Sequence, residues 1–206
     1  MSVVKICNLK YLAKIRTGVT LREAIKPVDN GSISIIQIRD VRSNNEIDYQ
    51  GITKTELRNI KSDLFLKKGD ILLRAKGSNR GAAIFELEQG NFQAANQFWI
   101  ISVNEDEILP EYLHWFINQK RTQHRLARNS QGPNSTTIAS AITASAINNL
   151  EIIVPAMEKQ QSIAKLQKLY RKEEMLIQDL ITNRKQMMNA IISDLTKEAN
   201  TVKGKV

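Results

Sequence analysis

Residues 156–198 read AMEKQQSIAKLQKLYRKEEMLIQDLITNRKQMMNAIISDLTKE, and this stretch decides the fold. No Pro or Gly occurs between Pro155 and Gly204, so nothing there breaks a helix. A helix of roughly forty residues spans about 60 Å at ~1.5 Å per residue. Ile163, Leu166, Tyr170, Ile177, Leu180, Met187 and Ile191 recur at heptad intervals, with Glu173 and Arg184 at the two interrupting seam positions. Leu169, Leu176, Ile181, Met188, Ile192 and Leu195 widen the stripe. A seam kept this long calls for a facing helix. Two readings stand: a helix packed on its own domain, or a partner-binding rod whose polar seam residues limit register and partner choice. Globular helices average roughly 10–14 residues, so the length favours the rod.

The chain of 206 residues suits one domain plus an appendage. We expect a domain over residues 1–155, a spacer and dimerisation helix over 156–198, and a flexible basic tail over 199–206. Thirty basic against twenty-one acidic side chains give a net charge of +9, which favours a polyanionic partner: nucleic acid first, an acidic membrane surface second. No apolar run approaches the ~20 residues of a spanning helix, and no secretory leader is evident. A single cysteine, Cys7, allows no internal disulfide and fits a reducing, cytoplasmic setting.

Ahead of the rod the pattern is mixed. Strands are expected over Ser32–Ile38, Ile71–Leu73, Ala82–Leu87, Phe98–Val103 and Leu150–Val154, from their apolar and β-branched content. One helix is expected from Pro110 to about Arg128, with Tyr112, Leu113, Phe116 and Ile117 on its apolar face. Polar loops fall at residues 39–45, 74–81 and 129–137. Strands and helices interleave without βαβ regularity, so the fold class is α+β, a mixed domain followed by one long coiled-coil-forming helix.

The basic excess is uneven. Tyr112 to Leu150 holds Lys120, Arg121, Arg125 and Arg128 and no acid, and Ile71 to Phe85 holds Arg74, Lys76 and Arg80 and no acid. Arginine forms bidentate hydrogen bonds with guanine edges and phosphates, and Asn or Gln pairs with adenine edges. The candidate DNA-binding residues are Arg39, Arg42, Asn44, Arg74, Lys76, Ser78, Asn79, Arg80, Arg121, Arg125, Arg128, Gln131 and Asn134. A solvated basic surface is the plainer alternative.

Motifs for catalysis are missing. Residues 76–81 lack the glycine spacing and the final Lys-Ser/Thr of a phosphate loop. His114 and His124, the only histidines, have no ligand cluster at metal spacing. Neither a Gly-x-Ser-x-Gly elbow nor a cofactor-binding glycine loop occurs. The expectation is a non-catalytic protein with no cofactor and no metal.

The order of features resembles the DNA-specificity (S) subunit of type I restriction–modification systems. The resemblance rests on Leu9–Gly18, on Leu66-Lys67-Lys68-Gly69-Asp70-Ile71-Leu72-Leu73-Arg74, and on Ala94-Ala95-Asn96-Gln97-Phe98. It continues through Leu109-Pro110-Glu111-Tyr112-Leu113, Gln131-Gly132 with Thr136-Thr137-Ile138, and Asn149–Pro155. It ends in Met157-Glu158-Lys159-Gln160-Gln161-Ser162-Ile163-Ala164, similar to the start of the family's spacer helix. Family members usually carry two recognition domains and two spacer helices, and this chain has one of each. The resemblance implies a half-subunit that reads one half-site of interrupted double-stranded DNA and scaffolds methyltransferase (M) and restriction (R) subunits. Two copies would pair their helices antiparallel through the seam residues named above. The alternative is a coiled-coil adaptor whose basic surface is incidental.

Overall fold

The computed structural model describes residues 4–20, 25–56, 64–76, 80–129 and 141–203. The chain divides into two compact units, Met1–Ala164 and Lys165–Val206. In the first unit the strands are β1 (Lys5–Asn8), β2 (Ala13–Thr17), β3 (Ile33–Ile36), β4 (Thr53–Thr55), β5 (Ile71–Arg74), β6 (Ala82–Ile84), β7 (Phe92–Ala94) and β8 (Phe98–Val103), with β9 (Glu151–Val154) late in the chain. Helices α1 (Pro110–Asn118), α2 (Lys120–Asn129) and α3 (Ala144–Asn148) lie between β8 and β9, and α4 (Met157–Lys203) follows. The architecture is α+β.

A four-stranded antiparallel sheet, ordered β2-β8-β5-β6, forms the centre. All four residues of β5 are buried, as its uninterrupted Ile-Leu-Leu run demands of a strand covered on both faces. Ile71, Leu73 and Ile101 pack with Tyr112, Leu113, Ile117, Leu126 and Ile147 on the helical side. Leu72, Phe98 and Ile100 pack with Ile36, Phe85 and Ala94 on the other. Each fully buried Leu, Ile or Phe there stabilises the fold by about 1.5–3 kcal/mol. A three-stranded sheet, β4-β3-β7, lies beyond that second core, with β3 and β7 parallel. Antiparallel β1 and β9 close the unit.

The family-like segments have local physical reasons. Gly69 adopts φ +89°, a conformation that glycine takes without strain. Asp70 beside it is buried; its carboxylate accepts from the Lys67 N–H at 2.9 Å and the Ser102 hydroxyl at 2.5 Å. Gly18 lies so close to the Ala94 and Ala95 carbonyls that a β-carbon would collide with them. The Tyr112 hydroxyl donates to the Ile153 carbonyl at 2.7 Å, tying α1 to β9. Gln160, 1% exposed, fastens the start of α4: its Oε1 accepts from Leu109 N–H at 2.9 Å, and its Nε2 donates to the Pro155 and Glu107 carbonyls.

Several expectations shift. The helix expected from Pro110 to Arg128 is broken at Gln119, whose ψ of 136° is extended. The carbonyls that a continuing helix would have bonded are taken locally: that of Phe116 accepts from the Gln119 N–H at 3.3 Å, and that of Ile117 from the Gln123 side-chain amide at 2.8 Å. Strands β1, β2 and β7 and helix α3 fall where no element was expected, and β4 forms at Thr53–Thr55, where the sequence pattern is ambiguous and offers a helical turn near Lys54 to Ile60. The four strands have three to five residues each and are fixed by pairing partners distant in sequence rather than by their own pattern. The strand expected over Ala82–Leu87 stops at Ile84.

In the second unit α4 continues without a break to Lys203, five residues into the stretch expected as a tail. Leu166, Tyr170, Ile177, Leu180, Met187 and Ile191 are 46–68% exposed, as are their flanking Leu169, Leu176, Met188 and Ile192 at 52–59%. Ile163, the first expected seam residue, belongs instead to the first unit and packs against its core.

Candidate nucleic-acid interface

The site is built on a polar hub that joins three stretches far apart in sequence. Arg74, at the end of β5, is 4% exposed. Its guanidinium donates to Asn45 Oδ1 at 2.8 Å, to the Val41 carbonyl at 2.8 Å and to the Arg42 carbonyl at 2.9 Å. Burial pulls its pKa below the usual arginine range, and these acceptors stabilise the charge within the fold. Asn45 adopts φ +65° and donates to Asn118 Oδ1 at 3.4 Å. Asn118 in turn pairs with both backbone groups of Ala82: its Oδ1 accepts from the N–H and its Nδ2 donates to the carbonyl, each at 2.9 Å. The side-chain amide thus mimics a further strand along β6 and covers polar groups that an edge would otherwise present. His114 Nε2 lies 2.9 Å from the same carbonyl.

The hub places the candidate residues. Loop 37–48 is held by Arg74 and carries Arg39, Arg42 and Asn44, all exposed. Arg39 donates to the Thr53 hydroxyl at 2.7 Å, and Asn44 Oδ1 accepts from the Glu46 N–H at 3.2 Å. Arg42 pairs with Asp48 at 3.0 Å and, by that bond, holds the Asp48 carboxyl below its usual range. Surface pairs of this kind add little to stability, so a phosphate can take Arg42 from Asp48 readily. Lys76 is exposed two residues beyond Arg74. The Ala75 carbonyl accepts from the Ile142 N–H at 2.7 Å, which brings the chain entering α3 to the same place.

Helix α2 leaves the hub directly after Asn118. Thr122 and Leu126 are its buried face, while Lys120, Arg121, His124 and Arg128 are exposed. Arg125 is partly covered and pairs with Glu151. Ser78, Asn79, Gln131 and Asn134 lie outside the described residues.

Arg74 therefore has a placement different from that expected of a base reader: its donors hold neighbouring backbone. Arg80 is likewise buried, at 8% exposed. Asn45, Asn118 and His114 were missed as members of the site.

A mixed α+β head built around a covered antiparallel sheet is followed by one long helix with an apolar stripe. The chain belongs to the family of the type I restriction modification DNA specificity domain, whose sequence model matches residues 1–183. Solved structures share the fold. The HsdS subunit from Thermoanaerobacter tengcongensis aligns with a TM-score of 0.61 at 16% identity over 84% of this chain and 43% of that one. A chain from a study of complex assembly and conformational transition of the type I R-M system aligns at 0.63, with the same identity and coverage. The S subunit from M. genitalium aligns at 0.54, covering 83% of this chain and 40% of that one. This chain thus spans less than half the length of these relatives. No curated protein matches it in sequence. Among the described residues no helix is long and apolar enough to cross a membrane.

Proposed function

We propose that this chain is a DNA-specificity subunit of a type I restriction–modification complex that reads one half-site of an interrupted target. What supports this reading is a set of exposed cations on elements tied to the hub: Arg39 and Arg42 on the loop held by Arg74, Lys76 just beyond Arg74, and Lys120, Arg121 and Arg128 on the helix that follows Asn118. Phosphate contacts from the helix cations would set position, and loop Arg and Asn side chains would read base edges. Arg125 remains a further candidate on α2.

The exposed stripe of α4 supports self-association as an antiparallel coiled coil. One head at each end of a two-fold rod would read a half-site, and the target would hold unread base pairs between them. The stripe is broader than a two-helix seam, because Leu169, Leu176, Ile181 and Met188 flank it on both sides. That breadth suits further helices from methyltransferase and restriction subunits, which would supply the chemistry. Binding to random duplex pools, with and without the methyltransferase partner, tests the proposal. Recovery of a two-part motif is expected; a cognate complex that enriches no such motif would remove it.

A further inference from the structure

The seam of α4 has a hidden symmetry. Its positions are Leu166, Tyr170, Glu173, Ile177, Leu180, Arg184, Met187 and Ile191. Read from the two ends toward a midpoint between Gln178 and Asp179, they pair as Leu166 with Ile191, Tyr170 with Met187, Glu173 with Arg184, and Ile177 with Leu180. Each pair joins the two alternating classes of heptad position, which is how layers form when two helices run in opposite directions.

We infer that two copies of this chain pair in this one register, with Glu173 of each facing Arg184 of the other. The inference rests on the self-association proposed above and adds the residues that set its direction and alignment. Glu173 lies among Leu169, Tyr170, Leu176 and Ile177 at the three- and four-residue spacings that share a helix face, and Arg184 lies likewise among Leu180, Ile181, Met187 and Met188. Both are exposed in the single chain. A second helix laid on this stripe takes both charges out of water, which is costly unless each meets its opposite. The antiparallel register forms two Glu–Arg pairs. A parallel pair in register sets Glu173 against Glu173 and Arg184 against Arg184. A shift by one heptad sets both charges against apolar side chains. The charged seam positions therefore select one arrangement out of the three.

The test uses the full chain in a Cys7→Ser background. Sedimentation equilibrium should show that Glu173→Arg and Arg184→Glu each raise the dimer dissociation constant by about tenfold or more, since each places like charges in two layers. The double variant should return to within about threefold of the parent, and the two single variants mixed should form a heterodimer. Disulfide trapping then reads the alignment. A mixture of Tyr170→Cys and Met187→Cys chains should cross-link to each other, while Tyr170→Cys alone should not, because its two copies would stand about 25 Å apart along the axis. A dimer that forms without the mixed cross-link, or that ignores the charge reversals, overturns the register and leaves self-association standing. A chain that stays monomeric at micromolar concentration overturns both, and DNA reading by the head is then judged by its own binding assay.

Discussion

The side chain of Asn45 occupies the space that a β-carbon on Gly81 would need. A methyl group there would run into the Asn45 amide, which is fixed in its left-handed conformation and bonded to Arg74 and Asn118. Gly81→Ala should lower head stability by about 1–3 kcal/mol through overpacking. It should also weaken DNA binding, because loop 37–48 loses its anchor. Asn45→Gly keeps the left-handed backbone and removes the obstacle. Adding it to Gly81→Ala should recover part of the thermal stability without recovering affinity, as read by calorimetry beside a binding titration.

Arg74 and the exposed arginines of α2 should separate cleanly. Arg74→Ala removes three hydrogen bonds from a buried network and should lower stability by about 2–4 kcal/mol. Arg121→Ala and Arg128→Ala leave the core untouched and should stay within about 0.5 kcal/mol of the parent. If they touch phosphates, each should weaken binding to all duplexes alike and flatten the log–log salt dependence by roughly 0.9. Titrations at several salt concentrations measure this; an unchanged slope in both variants would turn the basic face of α2 into plain solvated surface.

Tyr112 gives a pH signature. Burial raises its phenol above the usual tyrosine range. The folded state therefore resists ionisation more than the unfolded chain does. The stability tied to the neutral phenol is complete below the ordinary value near 10.0 and is lost as pH rises through the raised one. Tyr112→Phe should cost about 1 kcal/mol near neutrality, since the Ile153 carbonyl loses its donor. The gap between variant and parent should narrow above the ordinary phenol range, in denaturation curves taken across alkaline pH.

Much of the architecture is legible along the chain where one residue pattern decides one element. The run Ile71-Leu72-Leu73 declares a covered strand, and the break-free heptads after Pro155 declare the rod. The hub is not legible, because Asn45, Arg74, Ala82 and Asn118 meet only after four separate elements have packed. Arg74 illustrates the limit. In sequence it is one arginine among three in an acid-free stretch, and only burial separates it from exposed Lys76. Gln119 is a second case: helix propensity continues through it, yet its own N–H and the Gln123 side-chain amide take the next two carbonyls and the helix ends there. Strands of three residues such as β4 and β7 carry too little pattern to announce themselves, and their register comes from β3 between them.

The length of the rod should set the spacing of the target. In the register inferred above, Lys165 of one copy stands level with residue 192 of the other, so the two copies of Lys165 are about 40 Å apart along the axis at ~1.5 Å per residue. Seven residues inserted after Gln178, with Leu at the second and sixth inserted positions, preserve every seam layer and add two that are apolar. The separation then grows by about 10 Å, or about three base pairs at roughly 3.4 Å per step. Selection from random duplexes should return the parent half-sites with about three more unread pairs between them. A four-residue insertion breaks the heptad and should instead weaken the dimer. If the seven-residue variant dimerises as tightly as the parent and still prefers the parent spacing, the rod does not measure the target.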